Sequence, residues 1–223
     1  MGFQIAIDGP AGAGKSTIAR LVADELGFLY MDTGAMYRAM GLHMLSSGVD
    51  IDDEDAVVSA LPSADVGINI ANGVQHVTLN GSDVNGLIRT EEVGMAASKV
   101  STYREVRRYL VRLQQAIAGE KDVVMDGRDI GSVVLPGAQL KVFLTASVRT
   151  RALRRLRDLE DQGVSADLDM IERDIEARDL QDSTRAESPL VRTEDAVYID
   201  TSSMGIEEVT NRILDLVKER RGA

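Results

Sequence analysis

The chain has 223 residues, of which 44% are hydrophobic and 27% charged. That is enough apolar material for one compact core, at roughly 100–200 residues per domain. With no cysteine and a formal charge of −11, it can form neither a disulfide framework nor a thiolate zinc site. The acidic balance argues against a nucleic-acid-binding protein, whose affinity depends on neutralising phosphates. No basic-then-apolar leader opens the chain, and no apolar run approaches the ~18 residues of a membrane helix. The expectation is a monomer of the cytoplasm, a reducing compartment, with no membrane contact.

In chain order, Gln4 to Asp8 reads as a short buried strand leading into a Gly-rich turn. A helix follows from Lys15 to Leu26, with Ile18, Leu21, Val22 and Leu26 at helical spacing and Gly27 as its stop. Phe28 to Met31 is a second strand, and helices are predicted from Ala35 to Leu45 and from Asp53 to Leu61. Val66 to Ile70 and Val74 to Leu79 are β-rich runs around Asn72-Gly73, a hairpin signal, and Asn80-Gly81 marks another turn. Tyr103 to Ala118 is helical, with Val106, Tyr109, Leu110, Leu113 and Ile117 on one face and Arg104, Arg108 and Arg112 on a solvated stripe.

Val123 to Met125 is a buried strand ending at Asp126, and Leu140 to Leu144 is another. Val148 to Gln162 and Leu168 to Asp179 read as helices and Ala196 to Ile199 as the last strand, before a helix burying Ile206, Val209, Ile213, Leu216 and Val217. Met36, Met40 and Met44 fill core, His43 and His76 read as structural, and Asp52 to Asp55 reads as a charged helix start. Strands alternating with helices predict an α/β chain: a P-loop three-layer fold with about five parallel strands, a small antiparallel β insertion and a helical lid. Ligands are then expected at the carboxyl ends of the strands.

Residues 9–16, Gly-Pro-Ala-Gly-Ala-Gly-Lys-Ser, match G-x-x-x-x-G-K-[ST] between a strand and a helix. Backbone N–H groups of Gly9, Pro10, Ala11, Gly12, Ala13 and Gly14 (Pro10 excepted, having none) would face phosphate oxygens, helped by the helix N-terminus. Lys15 would bridge the β- and γ-phosphates, Ser16 would supply the hydroxyl nearest Mg²⁺, and Thr17 would lie near the α-phosphate. Asp126 reads either as a second, water-mediated Mg²⁺ contact or as a strand-end turn residue. The loop alone fits GTPases, ATPases and small-molecule kinases. The Asn-Lys-x-Asp guanine motif is missing from the sequence, which favours a kinase.

A small-molecule kinase needs a second anion pocket and a way to exclude water. Candidates are Asp32-Thr-Gly-Ala-Met-Tyr-Arg38 at a strand-to-helix turn and Asp126-Gly-Arg-Asp-Ile-Gly131 after another strand. Arg178-Asp179 with Asp182-Ser-Thr-Arg185 reads as a dense polar loop. Arg149, Arg151, Arg154, Arg155 and Arg157 crowd one helix, opposite Val148, Ala152, Leu156 and Leu159.

These blocks, together with Ile88-Arg-Thr-Glu-Glu-Val93, resemble the bacterial cytidylate kinase family in order and over almost the whole chain. The resemblance implies an ATP-dependent, Mg²⁺-requiring transfer of phosphate to CMP or dCMP. It implies that Arg38 and Arg128 clamp the CMP phosphate, that Thr33, Ser98, Arg107 and Asp129 line the cytosine pocket, with Tyr37 beside them, and that Arg178, Asp182 and Arg185 lie near the pentose and the transferring phosphate. Lys15, Arg128 and Arg178 are the catalytic candidates, and Arg151 and Arg155 the lid arginines expected to reach ATP. The implied organisation is a core of about 1–62, 93–147 and 166–223, a monophosphate-binding insertion of about 63–92 and a lid of about 148–165.

Overall fold

The computed structural model describes residues 2–71, 74–161 and 163–222. The hairpin tip read at Asn72-Gly73 and the helix end read at Gln162 lie outside the described residues. The main sheet is parallel, with five strands in the order β2-β6-β1-β7-β8, and a separate three-stranded sheet runs β3-β4-β5. By contact the chain forms two compact units, one built on Leu29–Val123 and one on Phe3–Phe28 with the chain from Val124 onward.

The second of these carries β1 (Gln4–Asp8), α1 (Lys15–Leu26), β6 (Val123–Gly127), β7 (Leu140–Thr145), α6 (Val148–Asp161), α7 (Leu168–Thr184), β8 (Val197–Asp200) and α8 (Ile206–Arg221). β1 and β6 are buried apolar runs ending at Asp8 and at Asp126-Gly127, as parallel strands covered on both faces are, while β7 includes Lys141 and β8 leaves Tyr198 and Asp200 exposed. Ile5, Ala6, Ile7, Val124, Met125 and Leu144 are fully buried. β1 pairs with β7 from Ile5↔Leu140 to Asp8↔Phe143, and β7 pairs with β8 from Val142↔Val197 to Thr145↔Asp200. α1 ends where Gly27 turns left-handed and its N–H returns to Ala23 and Asp24. Phe28 still closes that cap through Ala23 O, which is why the next strand starts at Leu29 and not at Phe28.

Three expectations are corrected here. Leu21 and Ile206 are 38% and 58% exposed. Ile206 opens its helix, and the buried stripe starts only at Val209. The polar stretch expected as a loop is the end of α7, which runs through to Thr184. Ser183 and Thr184 hydroxyls return to the carbonyls of Asp179 and Leu180, so residues that usually compete with a helix here satisfy it. Arg151 does not lie opposite the apolar side of α6; it is as buried as Ala152 beside it.

The first unit carries β2 (Leu29–Asp32), α2 (Thr33–Ser46), α3 (Glu54–Ala60), β3 (Val66–Ala71), β4 (Val74–Leu79), β5 (Ser82–Asp83), α4 (Glu91–Val100) and α5 (Arg104–Ala118). Asp32 and Asp53 cap α2 and α3 by accepting from Ala35 N and Ala56 N, an N-cap geometry typically worth about 1 kcal/mol. Met36, Met40 and Met44 are fully buried. His43 meets Ser63 Oγ at 3.0 Å and His76 meets Asp83 at 2.7 Å. β3 and β4 are antiparallel from Val66↔Leu79 to Ala71↔Val74. β5 and α4 were not anticipated. α4 is capped by Thr90 with Glu91 and Glu92 in its first turn, a readable start signal. Its buried face is Val93, Gly94, Ala96, Ala97 and Val100, and it packs on α2.

Candidate active site

The loop between β1 and α1 is shaped for phosphate. Gly14 caps α1 at φ 89°, a conformation L-residues resist, and the next N–H groups open outward at a helix N-terminus. Lys15 is 6% exposed and folds back to donate to Pro10 O at 2.8 Å. Burial, and after it the charge of Arg128, push its ammonium down to about 7, while Asp126, Asp182 and Asp8 pull the other way. Ser16 Oγ donates to Asp126 Oδ2 at 2.9 Å, and Asp126 is buried. A hydroxyl and a carboxylate so placed form an all-oxygen donor pair of the kind Mg²⁺ takes alongside phosphates, so these residues fit that ion. Among the described residues no group of three or more His, Cys, Asp or Glu is arranged to hold a metal by itself.

Two arginines of α6 brace the loop from behind. Arg151 donates to Ala11 O at 3.0 Å, to Ala146 O at 2.9 Å and to both oxygens of Asp179 on α7. Arg154 donates to Thr201 O at 2.8 Å and to Thr201 Oγ1 at 3.2 Å, and Thr201 Oγ1 in turn reaches Ala13 O at 3.4 Å. Arg155 is exposed. Sequence reasoning chose Arg151 and Arg155 and did not single out Arg154 or Thr201.

A second cluster joins the turn after β6 to the end of α7. Arg128 Nε donates to Asp182 Oδ2 at 2.7 Å. Arg185 lies 3.7 Å from Asp182 and 3.9 Å from Asp129, and its Nε donates to Ser188 O at 2.7 Å. Burial would lift the Asp182 carboxyl, but Arg128, then Arg178 and Arg185, hold it below the usual carboxylate range. Asp129 is 4% exposed. Buried charges persist only when paired in this way.

The Leu29–Val123 unit holds its own cationic group. Arg38 Nη1 donates to Ile88 O at 3.0 Å and Thr90 O at 3.2 Å. Arg89 donates to Asp32 Oδ2 at 3.1 Å, so Asp32 serves both as helix cap and as ion-pair partner. Arg107 is 3% exposed, donates to Ser101 O at 3.1 Å and stacks its guanidinium 5.4 Å from the Tyr37 ring centre. Thr33 is buried at the first position of α2, and Ser98 is half-buried on α4.

A family model described as Cytidylate kinase matches residues 5–219. The chain belongs to the cytidylate kinase family. Similar members include the cytidylate kinases of Shouchella clausii, 50% identical over 218 residues, and Caldicellulosiruptor bescii, 50% identical over 214. The aligned parts cover 98% of this chain and 97% of the first relative, and 96% and 95% for the second. The solved gluconokinase of Sinorhizobium meliloti shares the fold, with a TM-score of 0.51 at 13% identity, covering 99% of this chain and 94% of that one.

Within this family member, the site residues read from sequence fall into groups. Lys15, Ser16 and Asp126 meet at the loop, and Arg128, Asp129, Asp182 and Arg185 form the cluster after β6, close enough for Arg128 to act on Lys15. Tyr37 and Arg107 stack on one another in the Leu29–Val123 unit. What sequence reasoning missed is the support: Asp8, Arg89, Gly94 and Thr201, whose partners are distant in the chain. No helix of the described residues is long and apolar enough to cross a membrane.

Proposed function

We propose that this chain transfers the γ-phosphate of ATP to CMP or dCMP, giving ADP and CDP or dCDP. The observation that carries this reading is its match, over nearly the whole chain, to relatives that are cytidylate kinases. Phosphoryl transfer asks the protein for in-line positioning and charge neutralisation more than for covalent chemistry. In this reading the loop of residues 9–17 holds ATP, with Lys15 exchanging Pro10 O for phosphate oxygens. Ser16, with Asp126 through water, would hold Mg²⁺, which when bound neutralises charge on the β- and γ-phosphates.

Arg38 and Arg128 are proposed to clamp the CMP phosphate, since a planar guanidinium can bond two oxygens at once. Asp129 would accept from the cytosine amino group, while Arg107, Ser98, Thr33 and Tyr37 shape the base pocket. Asp182 and Arg185 would hold the pentose, and Arg178 with Arg128 and Lys15 would stabilise the charge of the transferring group. Arg151 and Arg155 are assigned to the ATP side, Arg151 acting from behind the loop. The organisation follows the same lines: a core of about 1–62, 93–147 and 166–223, a nucleotide-monophosphate insertion of about 63–92 and a lid of about 148–165. A cytoplasmic monomer that takes small nucleotides and no nucleic acid completes the reading. The test is coupled ADP release with CMP, dCMP, UMP, AMP or shikimate as acceptor: turnover with the first two supports it, and ATP binding without CMP-dependent ADP release would leave a nucleotide-binding module instead.

A further inference from the structure

Asp8 is the last residue of β1 and precedes the phosphate loop, yet no part of the transfer described above uses it. Its side chain is 6% exposed. One carboxylate oxygen accepts Ile130 N and the other accepts Gly131 N, both at 2.7 Å. These two amides follow directly after Arg128 and Asp129. They open a single π-helical turn, Ile130–Val134, whose later N–H groups return to Asp129 O and Ile130 O. At such a start the leading N–H groups have no partner within the turn, and Ile130 and Gly131 are too buried to find water. Asp8 supplies both acceptors.

The approach is close. A Cβ built on Gly131 would lie 3.3 Å from Asp8 Oδ2 and 3.0 Å from the Lys141 side chain, so any side chain at residue 131 would crowd both by a few tenths of an ångström. A strand end in this position would ordinarily be apolar, since a buried carboxylate is costly unless hydrogen-bonded. Burial does push the Asp8 carboxyl up, against the pull of its two amide donors, with the charge of Asp129 also raising it and that of Lys15 lowering it.

We infer that Asp8 is a positioning residue: by gripping the amides of Ile130 and Gly131 it fixes the backbone that presents Arg128 and Asp129 to the acceptor nucleotide. The inference rests on the proposal that Arg128 and Asp129 bind CMP. Asp8→Asn keeps the shape but sets an amide N–H against one of the two backbone N–H groups. The expected result is a KM for CMP raised about tenfold or more, as sub-ångström misplacement of binding groups can cost. The preference for CMP over UMP should fall with it, while the KM for ATP, whose lysine loses the pull of the Asp8 charge, should rise by a clearly smaller factor than that for CMP. Gly131→Ala, which crowds the same carboxylate by a few tenths of an ångström, should move the same quantities the same way, and it decides the matter if Asp8→Asn does not fold.

Equal losses for ATP and CMP in both variants would mean a general structural role and overturn the inference, as would an unchanged KM for CMP in both. Asp129→Asn separates this from the underlying reading. If Asp129→Asn leaves CMP binding and base preference unchanged, the acceptor-site assignment itself fails. If it alters them and the Asp8 and Gly131 variants do not, only the positioning role fails.

Discussion

The buried carboxyl of Asp8 should leave a signature in stability as well as in activity. Burial lifts it from an ordinary 3.8 to about 6. Between those values the folded chain binds more protons at this site than the unfolded chain does, so ionisation of Asp8 lowers stability as pH rises and has no further effect well above 6. The full shift corresponds to about 3 kcal/mol, and roughly half of it falls between pH 5 and pH 7.5. Asn at position 8 does not titrate. Urea unfolding of the wild type and Asp8→Asn, followed by far-ultraviolet circular dichroism at constant ionic strength, reports on this group, because titrations that Asp8 does not influence cancel in the difference and the linked shift of Lys15 moves it the same way. The wild type should lose about 1–2 kcal/mol relative to the variant across that window. A difference that is flat with pH, or that moves the other way, would refute the claim that Asp8 is held buried against its preferred ionisation.

Other outcomes are expected from the same site. Lys15→Ala should abolish CMP-dependent ADP release while leaving circular dichroism unchanged. Asp129→Ala removes a buried acceptor whose unpaired counterpart costs about 1–3 kcal/mol, so discrimination of CMP over UMP measured as a ratio of kcat/KM should fall about 5- to 150-fold. Gly94→Ala places a Cβ 3.1 Å from the Arg38 guanidinium, which must then give by a few tenths of an ångström against the Ile88 and Thr90 carbonyls; steady-state kinetics should show a higher KM for CMP and little change in that for ATP. Arg128→Ala leaves Asp182 buried without its closest cation, and because Arg178 and Arg185 still face it, chemical denaturation should register a loss of about 1–3 kcal/mol.

The parts legible in the sequence are those in which local spacing and chemistry coincide. The phosphate loop carries its own pattern between an apolar strand and an amphipathic helix, and the inner strands β1 and β6 read as buried apolar runs. α4 is marked by its Thr90 cap, its first-turn glutamates and buried residues at helical spacing from Val93 to Val100, so nothing physical hides it in the sequence. The end of α7 was read as loop because Asp182, Ser183 and Thr184 are poor helix residues on their own. They stay helical because two hydroxyls bond back along the helix and Arg128 neutralises the aspartate. Arg151 looked like one more arginine on a basic face, yet it is buried behind the loop, satisfied by two carbonyls and Asp179. Asp8 and Arg38 owe their settings to residues 122 and 50 positions away, a kind of information that local pattern does not contain.

The most direct measurement is ADP release by the intact chain at saturating Mg²⁺ and ATP, with CMP, with UMP, and with no acceptor. Rapid release that requires CMP, is much slower with UMP, and disappears in Lys15→Ala is the expected result. Release that proceeds equally without any acceptor, or that does not distinguish CMP from UMP, would contradict a kinase built for cytidine monophosphates.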